Sequence, residues 1–429
     1  RDLITAFLQL SGIRGENFLP AGSLGRGGHS QVWGGHLSLL DKKDLDGWPI
    51  RYDDLAFSYG AVMNRIGVSV TGGEVGGEIA ALPAGAIASR VLARHRRSSS
   101  SAQFRLWPAL NAVLAQSAGD RKGCDLRGDC LFGCERGSIY SSSHDLSLLQ
   151  KSPFFALIER ECVTELHSND ENVWTVRTAT GSTFKAPRVL LAAGVLGSAS
   201  LLRHLIDFPD SGLQILNSPM FVMPLIAPDR IFKYSTATHS LAQLGFELHY
   251  GHAQLDYLTG SLYEVNTLPA SSFINRMPTG RRAGRSIFNL LSSSLAVATA
   301  YLPGNESRTF MHKGQGCELF IRGGCTDGME ARIEAIIKVL AGHWRRLGLF
   351  RLPGATIAPP GTDAHFAGTF PMGGRGMCST SDLGELYGFP GLHLIDGSIF
   401  PTLPSKYITL TIMANADRIG RKLSASRNG

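Results

Sequence analysis

His365-Phe366-Ala367-Gly368-Thr369, then Met372-Gly373, Leu394-Ile395-Asp396-Gly397-Ser398 and the run from Pro404 through Tyr407 and Thr409 to Ala416 decide how the chain is read. A lone histidine sits in a Gly- and Pro-rich loop. A short apolar run then stops abruptly at Asp396-Gly397-Ser398, and a Pro-punctuated turn leads into an apolar segment of helical length. An apolar strand, an acidic-Gly-Ser turn and a helix start together let backbone N–H groups and one carboxylate meet a phosphate- or ribityl-bearing ligand. The C-terminal fifth therefore reads as one side of a cofactor site.

The rest of the chain supplies the bulk for such a site. With 429 residues, 43% of them apolar and 18% charged, it is globular and long enough for two domains. Glycine accounts for 50 residues, above the usual share of about 7%, which points to tight turns and close backbone–ligand approaches. The formal charge of +7 is modest. Its densest cluster, Arg90, Arg94, Arg96 and Arg97, runs into four serines and reads as a solvated loop. No aromatic residues interleave with it, which argues against nucleic-acid binding. No segment has the length and purity of a membrane span; Ser286–Leu302 is too short and carries four serines. Seven cysteines in this length do not build a disulfide framework, which fits a reducing, cytoplasmic compartment.

Gly22–Gly35 holds six glycines with Ser30 and Trp33, a loop whose backbone can lie against a ligand. It does not match the dinucleotide fingerprint. A helix is expected over Tyr52–Ile66, with Asp53 and Asp54 at its positive end. Residues 73–105 read as connections. Cys124, Cys130 and Cys134 fall within eleven residues; they can wrap a soft metal centre or stand as a reduced structural trio, and spacing leaves both open. Residues 172–186 read as a hairpin turning at Gly181, running into Val189-Leu190-Leu191-Ala192-Ala193-Gly194, a central parallel strand ending at a helix start. From 215 to 350 strand-like segments such as Gln243–Gln254 and Glu318–Arg322 precede one strong helix, Met329–Leu347, capped by Thr326 or Asp327.

Three of these stretches, in this order, resemble the signatures of the glucose–methanol–choline (GMC) oxidoreductases: Gly27-Gly28-His29-Ser30 with Trp33-Gly34-Gly35, Val189–Ser198, and the C-terminal set. The resemblance implies an α/β fold with a Rossmann-like FAD-binding domain, incomplete at its N-terminus, and an α+β substrate domain built on an antiparallel sheet. The expected boundaries are 1–90, 150–215 and 355–429 for the FAD side, 91–149 for a connecting segment with the cysteines, and 216–354 for the substrate side. Gly27, Gly28, Ser30, Val163, Ala193, Gly194, Asp396, Gly397, Ile408 and Thr409 would lie near FAD.

The family oxidises an alcohol or sugar CH–OH by hydride transfer to flavin. His365 matches its base, and the chemistry agrees, since a neutral imidazole accepts the hydroxyl proton at pH 7. The second catalytic position, His or Asn in the family, is Tyr407, a phenol suited to donating a hydrogen bond. Members with covalent flavin carry a histidine where this chain has Val32, so the FAD is expected to be dissociable. The cysteine spacing also resembles the ligands of a [3Fe–4S] cluster in bacterial FAD-dependent glucose dehydrogenases of the family. That would make Cys124, Cys130 and Cys134 metal ligands passing electrons to a protein or quinone acceptor. The family's strand–glycine fingerprint–helix unit is not among these residues, so the chain, which starts at Arg1, is expected to be part of a longer enzyme. Tyr407 and the missing unit motivate the alternative, a degenerate, non-catalytic member with a binding or scaffold role. The lack of a Gly-x-Ser-x-Gly elbow leaves a serine hydrolase a poor third reading.

Overall fold

Two hydrophobic cores meet at the segment that carries His365 and Tyr407. The computed structural model describes residues 2–72, 79–98, 102–169, 173–233, 238–251, 256–265, 270–275, 277–316 and 318–425. Asn172 and the end of the Gln243–Gln254 segment lie outside them.

The first core is built on a sheet of seven strands. Its order is Phe350–Arg351, Met220–Ile226, Leu295–Tyr301, Tyr257–Glu264, Leu244–His249 and Phe104–Pro108, with Thr356–Ile357 also on Met220–Ile226. Every pairing is antiparallel. Because side chains alternate along a strand, Phe221, Met223 and Leu225, with Phe246 and Leu262, fall on one face. There they pack against Ile333, Ile337 and Trp344 of helix Met329–Arg346 and Ile87 and Val91 of helix Ala86–Arg97. The same alternation sends Thr259, Ser261, Tyr263 and Tyr301 to the opposite face, with Tyr301 directly across from Thr259.

The second core joins helix Tyr52–Ile66 to helix Thr409–Ala425. Leu55, Tyr59, Val62 and Ile66 form the buried stripe of the first, and Tyr59 Oη meets Thr411 Oγ1 at 2.8 Å. Asp54 accepts the Arg51 amide at 2.9 Å and closes its N-terminus. A mixed five-stranded sheet (Ile13–Glu16, Leu319–Arg322, Thr309–Lys313, Leu213–Asn217, Phe366–Ala367) borders this core. Its last pairing sets Asn217 against Phe366 and so fixes the chain just after His365.

Several expectations change. The described part of residues 73–105 is not merely connecting: Ala80–Leu82 pairs parallel with Ser69–Thr71, and Ala86–Arg97 is a helix. Its stripe of Ile87, Ala88, Val91 and Leu92 is masked in the sequence by Ala, Ser and Arg. Arg90 belongs to that helix, is partly buried and pairs with Asp229, so the basic cluster is not a solvated loop. Helix Met329–Arg346 is entered through Gly328 at φ +71°, with no side-chain cap from Thr326 or Asp327. Thr326 instead donates to Glu306, which also holds Arg332 at 2.7 Å. Val189–Leu191 pairs only with Leu392–Leu394 among the described residues, leaving Leu190 46% exposed; it is an edge strand, not a central one.

Candidate active site

His365 is placed by the loop that precedes it. Gly361 adopts φ +88°, and a Cβ there would lie 2.5 Å from the Leu19 carbonyl oxygen, so only glycine fits. Ala364 is also left-handed, at φ +52°. These turns wrap the backbone around the carboxyl of Asp363, which accepts the Ser218 amide at 2.8 Å and the amides of its own loop. Burial pushes that carboxyl up to about 7, against the pull of the amides. Its Oδ2 lies 4.0 Å from His365 Nδ1. His365 Nδ1 and Asp363 Oδ1 are both buried without a hydrogen-bond partner. An imidazole nitrogen left without a partner beside a carboxyl at 4.0 Å marks a pair left loose, a common state of catalytic contacts before substrate tightens them. The imidazole, brought down to about 4 by burial, is neutral at pH 7. Its side chain keeps 17% exposure, none of it at the buried Nδ1.

Tyr407 is presented by an anchored turn. Lys406 binds Asp44 at 2.5 Å and Asp41 at 3.2 Å, and helix Thr409–Ala425 starts directly after. The Tyr407 ring lies 5.6 Å from His365 and 5.3 Å from Tyr301, both edge-on, and 4.3 Å from His36. Its hydroxyl meets Ser261 Oγ at 2.6 Å. Burial, then the neighbouring Tyr301 and Tyr263 phenols, raise it well above the ordinary tyrosine range, so it stays protonated and acts through hydrogen bonds.

The expected flavin-side residues fall in three places. Val163 and Ala193 share a cavity of about 440 Å³ with Leu191 and Gly197. Asp396 is buried and tied to Ser198 Oγ at 2.6 Å and to the Ser398 amide at 3.0 Å, joining its turn to the helix that starts at Gly194. Gly397 packs where a Cβ would lie 2.8 Å from the Phe366 carbonyl and 3.4 Å from Ile412. The Ile408 carbonyl takes the Ile412 amide and opens the last helix at Thr409. Gly27 and Gly28, at φ +86° and +54°, bracket the start of a short 3₁₀ turn. Ser30 in that turn bonds Ser142 Oγ at 3.0 Å and lines a different cavity, of about 270 Å³, beside Cys130 and Cys134.

The cysteine trio finds no support as a ligand set among the described residues. Among the described residues no group of three His, Cys, Asp or Glu side chains is placed to hold a metal ion. Burial raises the Cys124 thiol, the reverse of what a thiolate ligand needs. Cys124 and Cys130 pack around Leu82, Val113 and Leu241, and the described residues give the iron–sulfur reading no support.

Residues 329–416, which contain His365, Asp396, Tyr407 and the first half of the last helix, match the family described as GMC oxidoreductase. Over that C-terminal stretch the chain is similar to the GMC oxidoreductases. Pyridoxine 4-oxidase from Mesorbium loti shares the fold, at 15% identity and a TM-score of 0.62, over 94% of this chain and 85% of that one. No curated protein matches the chain in sequence. Among the described residues no helix is long and apolar enough to cross a membrane.

Sequence reasoning did not single out Asp363, His36, Ser261 or Tyr301. Asp363 had a signal, a carboxylate two residues before the histidine in a glycine-bounded turn. Ser261 and Tyr301 had none, since only strand pairing brings them to the site.

Proposed function

We propose that this chain is a GMC oxidoreductase that oxidises the CH–OH group of an alcohol or sugar, with His365 as the base and non-covalent FAD as the hydride acceptor. The observation that carries the reading is the neutral, partly accessible imidazole set between the Asp363 carboxyl and the Tyr407 ring. The chain's residues fit a flavin. The cavity beside Val163 and Ala193 is within the usual range of about 300–1,000 Å³ for small-molecule sites. Its wall is mainly aliphatic, and Gly194 opens a helix beside it with free space where a Cβ would stand. Val163, Ala193 and Gly194 would hold the cofactor, with the Asp396–Ser398 turn behind them. When bound, FAD supplies the two-electron acceptor.

The protein's part is proton and position. His365 accepts the hydroxyl proton on its imidazole. The Asp363 carboxyl, 4.0 Å from Nδ1, favours the imidazolium that results. Tyr407 donates to the substrate oxygen as it loses its proton. Residues 216–354 form the substrate side, presenting Tyr263 and Tyr301 from the polar face of the large sheet.

The test is anaerobic mixing of the flavin-loaded chain with a panel of primary and secondary alcohols and sugars. A substrate should bleach the flavin absorbance, and His365→Ala should slow that bleaching by about a hundredfold or more, the usual size of a general-base contribution. Equal bleaching by His365→Ala would remove His365 from the mechanism. A flavin left oxidised by every candidate would favour the non-catalytic alternative.

A further inference from the structure

Behind Tyr407, three side chains from distant parts of the sequence form one line of hydrogen bonds. Tyr407 Oη lies 2.6 Å from Ser261 Oγ, and Ser261 Oγ lies 2.6 Å from His36 Nδ1. All three residues are buried. Ser261 comes from strand Tyr257–Glu264 of the large sheet. His36 opens strand His36–Leu37 directly after the Gly34–Gly35 end of the glycine-rich loop and is held there by pairing with Asn111. The His36 and Tyr407 rings also pack at 4.3 Å, which keeps the phenol from swinging away.

A hydroxyl carries one proton, so Ser261 donates to only one of these two neighbours. If it donates to His36, Nδ1 is bare, Tyr407 gives its own proton to Ser261, and only phenol lone pairs face the substrate. If it donates to Tyr407, His36 is protonated on Nδ1 and the Tyr407 O–H is free to point forward. Which nitrogen of His36 carries the proton therefore decides whether Tyr407 is a donor or an acceptor. Given the proposed role of His365, an acceptor at Tyr407 would leave two proton acceptors and no donor around an oxygen that is gaining negative charge.

Resting on that reading, we infer that His36 is a positioning residue: protonated on Nδ1, it orders the chain His36 to Ser261 to Tyr407 and turns the Tyr407 hydroxyl towards the substrate oxygen. Neither His36 nor Ser261 meets the substrate. They act through the direction of one O–H bond.

Two measurements on the full chain test this, and the first needs no turnover. In ¹⁵N-histidine NMR, with His36 assigned by loss of its signals in His36→Asn, the ring should be neutral at pH 7 with Nδ1 protonated and Nε2 bare. A proton on Nε2 would overturn the inference whatever the activity. In anaerobic flavin reduction, His36→Leu should slow the reaction about tenfold, the weight of one hydrogen bond, with KM little changed. His36→Asn, whose amide nitrogen can donate from the Nδ1 position, should recover most of the rate. Equal rates for wild type and His36→Leu would also overturn it. If Nδ1 is protonated but no alcohol reduces the flavin, the hydrogen-bond order stands and the proposed function falls.

Discussion

At the scale of single residues, Asp363 carries the most specific consequence. Asp363→Asn keeps the size of the side chain and removes the ionisable carboxyl beside Nδ1 of His365. The imidazolium formed in the reaction then loses its partner, and flavin reduction should slow by about tenfold or more when followed by stopped flow. An unchanged rate would leave Asp363 as a support of the loop alone. Val32 makes a second prediction. It is 79% exposed and carries no atom that can bond a flavin, so acid precipitation of the loaded protein should leave all the flavin in the supernatant; yellow precipitate would refute this. His365 and Tyr407 were legible because each sits in a local pattern with chemical meaning. The partners that tune them were not. Ser261 and His36 are separated by 225 residues, and nothing near either one announces the other.

Elements were legible where a stripe repeats and the composition does not hide it. Helix Met329–Arg346 shows Ile333, Ile336, Ile337, Leu340 and Trp344 on one face, and the structure buries that face on the large sheet. Ile337→Ala should therefore cost about 2–5 kcal/mol in urea unfolding, the range for truncating a buried aliphatic side chain. Gly328 gives a cleaner test of the N-terminus. A Cβ there meets nothing within 4 Å, so Gly328→Ala is opposed only by its left-handed backbone at φ +71°. The expected loss is about 1 kcal/mol, and no loss would mean that the turn relaxes. Helix Ala86–Arg97 escaped notice because its stripe is short and lies among Ala, Ser and Arg. The alternation of the strands was visible; their order in the sheet depends on long-range pairing that no single strand encodes.

The molecule as a whole holds several titratable groups in buried, neutral forms, and this sets its response to pH. Burial lowers His36 to about 3 and His239 and His365 to about 4, from an ordinary 6.5. Between those values the unfolded chain binds protons that the folded chain refuses. Their contribution is thus complete above pH 6.5 and is lost as pH falls towards 4. Asp363 acts with the opposite sign: raised from 3.8 to about 7, it favours the folded state at low pH and loses that contribution as pH rises through 7. Three histidines outweigh one carboxyl, so the urea midpoint should fall between pH 7 and pH 5; a midpoint that rises would contradict these shifts. The central claim, that the two cores hold a base and a donor around an alcohol whose hydride leaves for flavin, is tested most directly by isotope. An alcohol that bleaches the flavin anaerobically is compared with the same alcohol deuterated at its carbinol carbon. Several-fold slower bleaching with deuterium, and bleaching slowed about a hundredfold or more in His365→Ala, is the predicted result. Bleaching at one rate for both isotopes, unaffected by His365→Ala, would contradict the account.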